Sequence, residues 1–228
     1  MTRDRRLSWI NGLLLPLFNV LTAFLATAVV FILINVNPIE ATKILIYGAF
    51  GYEEGIGYTL YYTTNFIFTG LAVAVAFHAG LFNIGGEGQA YIGGLGTALV
   101  ALYIDPTLSA WLIIPLGIFG GLLFGAMWAI IPAYLQAYRG SHIVITTIMF
   151  NFLASALMVY LLVHVLREMG QMSPQSKDFP DSAWIPFVHE VFAGMGIKIA
   201  QSPLNLSIFI ALIFSALVWF FLWHTRWG

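Results

Sequence analysis

Apolar residues run along this chain in long unbroken stretches, and the polar positions gather between them. Six stretches are candidate membrane spans: Leu14 to Val36, Leu60 to Phe82, Gln89 to Ile104, Ala110 to Ala133, Ile143 to Leu166, and Leu204 to Trp223. A helix needs about 20 apolar residues to cross a bilayer, and each stretch is near that length except the third. Strands of a membrane barrel would alternate apolar and polar over about ten residues. No such alternation occurs, so the pattern predicts an all-α, polytopic transmembrane helix bundle of about six spans. Ala26-Thr27-Ala28 has the small residues of a leader-cleavage site, but the apolar run continues from Phe31 to Val36. Span one is therefore read as an uncleaved anchor.

The junction of spans two and three breaks the pattern. His78 to Gln89 contains four glycines in the nine positions from Gly80 to Gly88, and each costs a helix about 1 kcal/mol relative to Ala. A broken helix is expected here, with span three starting inside the membrane. Backbone freed by such a break is tolerated only where protein or a water-filled cavity surrounds it. Asn83, Glu87 and Gln89 flank the break, and two readings of them stand. Glu87 caps the short helix by binding its amides, where the helix dipole favours a carboxylate, or all three line a polar pathway.

Other polar and small residues mark faces of helices. In span four Gly117, Gly121, Gly125 and Ala129 recur every four residues, and span three has Ala90, Gly94 and Ala98 at the same spacing. Such stripes let helix backbones approach closely, the main route to association in lipid. Gly94, Gly117, Gly121 and Gly125 are thus expected at helix contacts. On span five, Thr147 and Asn151 are four apart and share a face. Thr146 and Thr147 have a local solution, a bond back to the carbonyl one turn earlier. Asn151 has none and is expected to point inward.

Between spans, residues 167–203 contain Pro174, Pro180 and Pro186 and predict a partly ordered cap with a short helix near Trp184 to Phe192. Pro38 to Phe50 mixes Ile39, Ile44, Leu45 and Ile46 with Glu40 and Lys43, as a helix lying on the membrane surface does. Basic residues are denser in the short segments bearing Arg3, Arg5, Arg6, Arg139 and Arg226 than in the long ones bearing Lys43, Arg167, Lys177 and Lys198. The positive-inside rule then places the N-terminus in the cytoplasm and residues 167–203 outside.

Composition agrees. Of the 228 residues, 60% are hydrophobic and 8% charged, where soluble domains carry roughly a quarter charged. The net charge of −1 argues against nucleic acid as a partner, which needs a basic face. There are no cysteines, and His78, His142, His164, His189 and His224 lack the spacing of a ligand set, so no metal site is expected. GxSxG, HExxH and GxxxxGK[ST] are all absent. The chain is not read as an enzyme, and any energy source must lie in another subunit.

Two segments carry a resemblance. Phe82-Asn83-Ile84-Gly85-Gly86-Glu87-Gly88-Gln89, followed by Tyr91-Ile92-Gly93, resembles a signature of the membrane permeases of bacterial ABC importers in the branched-chain amino acid, ribose and nucleoside group. The stretch Arg139 to Phe152, with Thr146, Thr147 and Asn151, is similar to a second signature, of the simple-sugar and nucleoside branch, but has His142-Ile143 where an acid is common. The resemblance implies a plasma-membrane (bacterial inner-membrane) subunit that moves a nucleoside or simple sugar. It implies a second permease subunit, a cytoplasmic ATP-binding subunit and an extracytoplasmic solute-binding protein as partners, with ATP bound by the partner and no cofactor in this chain. It makes Asn83, Glu87 and Gln89 substrate-pathway candidates, with Thr147 and Asn151 behind them. Family members continue past a helix like Leu204 to Trp223 with further spans, so residues 1–228 are expected to be the N-terminal part of a longer permease domain or a truncated gene product. The rival readings are a structural or assembly subunit of a membrane complex and, below it, a polytopic membrane enzyme.

Overall fold

The structure is a computed structural model, and it describes residues 13–226. Arg3, Arg5 and Arg6, on which the orientation partly rests, lie outside the described residues. Among the described residues there are eight α-helices: α1 Leu15–Leu33, α2 Pro38–Phe50, α3 Glu53–His78, α4 Gly86–Tyr103, α5 Ala110–Arg139, α6 Ile143–His164, α7 Val188–Gly194 and α8 Ser207–His224. The described residues contain no strand beyond two isolated bridges, Arg167 with Ser176 and Phe187 with Asn205. Five helices, α1, α3, α5, α6 and α8, are long and apolar enough to cross a membrane. The chain is an all-α, multi-pass membrane protein.

The described residues form two compact units, divided between Thr59 and Leu60. In the first, α1 and α2 pack on each other. Asn37 caps α2 by accepting from the amide of Ile39 at 3.0 Å, with Pro38 in the first helical position, where its missing N–H costs nothing. α3 starts at Glu53, well before the expected Leu60. Glu53 and Glu54 occupy its first turn, where carboxylates meet the positive helix end.

In the second unit, α4 packs most extensively on α5 and next on α6. Glycines set the α4–α5 spacing. A Cβ at Gly120 would stand 2.8 Å from the Gly96 carbonyl oxygen, and one at Gly121 would stand 2.7 Å from Thr97 Oγ1. The Thr97 hydroxyl also donates to the Gly117 carbonyl at 3.0 Å, tying the two helices. A Cβ at Gly125 would lie 3.4 Å from the Gln89 backbone carbonyl oxygen and one at Gly117 3.5 Å from Thr97 Cγ2, both ordinary contact distances. Gly94 lies elsewhere: it is exposed, and a Cβ there meets nothing within 4 Å. The α4 glycines at the contact are Gly93 and Gly96, because the close face is one step round the helix from the Ala90/Gly94/Ala98 stripe.

α3 and α8 are bridged by ring contacts, Phe68 with Phe214 at 6.2 Å and His78 with Trp223 at 5.1 Å. The segment between α6 and α8 folds back on the α4–α5 connection, where Ser182 donates to the Pro106 carbonyl at 3.2 Å. Its helix begins at Val188, not Trp184, since Pro186 holds the preceding chain extended, and Val188 N–H bonds to the Leu204 carbonyl at 2.9 Å. Large apolar side chains stay exposed on every long helix, Phe18, Phe66, Trp111 and Phe152 among them, as expected of surfaces solvated by lipid.

Candidate functional site

The predicted break is present. α3 ends at His78, α4 starts at Gly86, and residues 79–85 between them are not helical. Gly80, at φ +72°, closes α3 in the left-handed conformation that glycine adopts without steric cost. The amide of Leu81 bonds to the Ala76 carbonyl at 2.9 Å and that of Gly80 to Phe77 at 3.0 Å, the paired bonds of a Schellman ending.

Asn83 and Gln89 face one another across the break through a reciprocal amide pair. Asn83 Nδ2 donates to Gln89 Oε1 at 3.3 Å, and Gln89 Nε2 donates to Asn83 Oδ1 at 3.4 Å. Asn83 Oδ1 also accepts the Gly85 amide at 2.8 Å. On the other side stands α6. Asn151 Oδ1 accepts the Gly88 amide at 2.9 Å, and Asn151 Nδ2 donates to the Ile84 carbonyl at 3.0 Å. One side chain, distant in sequence, thus satisfies a backbone donor and a backbone acceptor that the break leaves without helical partners. The glycines make room for it. A Cβ at Gly85 would lie 3.2 Å from Thr147 Cβ, and one at Gly88 would lie 3.1 Å from Asn151 Cα.

Thr147 is buried, and its hydroxyl bonds back to the Ile143 carbonyl at 2.8 Å. Thr146 bonds likewise to His142 at 3.0 Å. Glu87 stands in the first turn of α4, exposed, and has no hydrogen-bond partner among the described residues. Of the amides at this helix start, that of Gly85 is taken by Asn83 and that of Gly88 by Asn151, so the capping reading of Glu87 finds no hydrogen bond among the described residues.

Beside the amide pair lies a cleft of about 560 Å³ between the second half of α3 and the start of α4. Phe68, Phe77 and Phe82 supply aromatic surface, and Thr69, Asn83 and Gln89 are its polar side chains. Phe77 and Phe82 meet edge to face at 5.3 Å. Neither Glu87, Thr147 nor Asn151 lines this space. Sequence reasoning missed its α3 wall, whose signal was the lone hydroxyl of Thr69 among large apolar residues. No group of acids and histidines able to hold a metal occurs among the described residues.

Residues 55–228 match the family described as branched-chain amino acid transport system / permease component. Over 171 residues the chain is 34% identical to a glucose ABC transporter permease protein of Haloferax volcanii, covering 75% of this chain and 44% of that protein. It is 30% identical over 211 residues to a guanosine ABC transporter permease protein of Bacillus subtilis, covering 92% and 58%. A nucleoside ABC transporter permease protein of Lactococcus lactis is 33% identical over 202 residues, covering 88% and 54%. The chain spans about half the length of the curated relatives it matches. No solved structure matches it.

Proposed function

The chain belongs to the permease-component family of branched-chain amino acid transport systems, and on that premise we propose that it forms part of the membrane path of an ATP-driven importer for a nucleoside or simple sugar. The observation that carries the proposal is the clasp of Asn151 on both edges of the break. It joins the two segments that resemble the family's signatures into one site, next to a cleft of small-molecule size.

In this reading the chain supplies a path rather than a catalytic centre. Asn83 and Gln89 present polar groups to the solute, Asn151 holds the irregular backbone, and Glu87 adds a carboxylate at the exposed start of α4. Irregular backbone at membrane depth is where transporters place their solute sites. ATP is hydrolysed by a cytoplasmic partner, a second permease completes the path, and a solute-binding protein delivers substrate from outside. The chain sits in the plasma membrane, the bacterial inner membrane, with its N-terminus and Arg139 in the cytoplasm and residues 167–203 outside.

The test is uptake into proteoliposomes holding the full protein with its partners. Solute accumulation that requires ATP supports the importer. Glu87→Ala is expected to reduce that uptake at an unchanged amount of protein in the membrane. Unchanged uptake would remove Glu87 from the path, and a purified complex without any ATP-hydrolysing subunit would favour an assembly role instead.

A further inference from the structure

We propose that the cleft between α3 and α4 is a subsite for the base of a nucleoside, and that its lining decides between the two solute classes left open above. The inference rests on the importer reading and adds to it the chemistry of one wall. No charged side chain lines the cleft among the described residues. An amino-acid zwitterion would leave both its charges uncompensated there, at a heavy desolvation cost. A simple sugar carries a hydroxyl on almost every carbon and needs a partner for each, whereas the cleft offers three polar side chains. One of those is already committed, since the Thr69 hydroxyl bonds to the Asn65 and Phe66 carbonyls at 3.2 Å.

A nucleobase has the opposite character. Its faces are flat and apolar, and its edge carries an adjacent donor and acceptor. Phe68, Phe77 and Phe82 suit the faces, because base–aromatic stacking needs only a π surface. The Asn83–Gln89 pair suits the edge. Two side-chain amides bonded to each other present the donor-and-acceptor pattern that Asn and Gln use to read base edges. Their mutual bonds, 3.3 and 3.4 Å, are long against the usual 2.9–3.0 Å. Gln89 can therefore exchange its bonds to Asn83 for a base edge at little loss, while Asn83 stays anchored to the Gly85 amide at 2.8 Å. The volume of about 560 Å³ falls within the roughly 300–1,000 Å³ of small-molecule sites. The pentose would lie toward the open side.

The test measures uptake of labelled inosine, ribose and leucine by the full protein with its ATP-binding and solute-binding partners, scored for maximal rate and KM. Inosine is expected to be carried in preference to ribose and leucine. Gln89→Leu keeps size and removes the amide, and it is expected to raise the inosine KM about ten-fold, the scale of a two-point amide–base contact. Phe77→Leu, on the opposite wall, is a second route to the same readout if the first variant fails to reach the membrane. A structural role alone would lower the maximal rate with the amount of protein and leave KM unmoved. ATP-dependent uptake of ribose or leucine without inosine overturns the subsite and leaves the importer standing. Inosine uptake with KM unchanged in both variants also overturns it. Absence of ATP-dependent uptake of all three solutes overturns the importer reading and the subsite together.

Discussion

Replacing Asn151 with Leu, which is nearly isosteric, removes two hydrogen bonds at once: from the Gly88 amide at 2.9 Å and to the Ile84 carbonyl at 3.0 Å. Both lie at the irregular edge of α4, where the helix offers no substitute partner. Interhelical side-chain bonds in membrane proteins average about 0.6 kcal/mol and reach about 1.7. Two of them place the loss at about 1–3 kcal/mol, or roughly a 5- to 150-fold change in the local opening equilibrium. Amide hydrogen exchange on the purified full protein reads this directly. Exchange at Gly88 should accelerate by that factor, while exchange near Val100, at the far end of α4, should stay unchanged. Asn151→Asp keeps the acceptor for Gly88 and loses the donor to Ile84, so its effect at Gly88 should be smaller. Equal exchange at Gly88 in Asn151→Leu and the parent would refute the clasp. Equal acceleration at Gly88 and Val100 would show general loosening instead.

Gly120→Ala places a methyl 2.8 Å from the Gly96 oxygen and should destabilise the protein by about 1–3 kcal/mol through overpacking, seen in denaturant unfolding. Gly94→Ala meets open space and should be neutral or gain up to about 1 kcal/mol from helix propensity; a loss equal to that of Gly120→Ala would contradict the packing described. Gly80→Ala puts a side chain on a residue at φ +72° with nothing nearby, so a cost of about 1–2 kcal/mol should come from the backbone alone. At Asp105, bonds from the Thr107 hydroxyl and amide hold the carboxyl below its ordinary value of 3.8. The turn is favoured above that value and loses this contribution as pH falls through the folded-state pKa. Thr107→Ala should move the Asp105 titration up toward 3.8 in NMR.

The break, the short helix after it and the inward Asn151 were legible in the sequence because each follows from local chemistry. Glycine density ends a helix wherever the chain goes, and an asparagine inside an apolar helix needs a partner. What the residues alone did not yield is pairing across helices. The Gly117/Gly121/Gly125 spacing marked a small-residue face on α5, yet Gly120, one step round the helix, makes the closer backbone approach. That choice depends on which α4 residues arrive opposite, Gly93 and Gly96 rather than Gly94. Glu87 illustrates the same limit: its position at the start of α4 fits capping, but Asn151, 63 residues after Gly88, takes the amide. The early start of α3 was hidden because Glu53 and Glu54 resemble loop charges until their place in the first turn is known.

The length of α5 also works as a depth gauge. Its 30 residues, Ala110–Arg139, measure about 45 Å at 1.5 Å per residue, longer than the hydrocarbon layer is thick. Gly125 lies beside Gln89, and the distance along the axis from Gly125 to Arg139 is about 21 Å. With the Arg139 guanidinium held at the water boundary, that distance is close to half of a bilayer's roughly 40–45 Å full thickness. On that placement the Asn83–Gln89 pair would lie near the midplane, about equally far from water on either side. A molecule reaching it there would have left bulk solvent, so a solute held at that depth would draw its polar contacts from the protein or from water that enters with it.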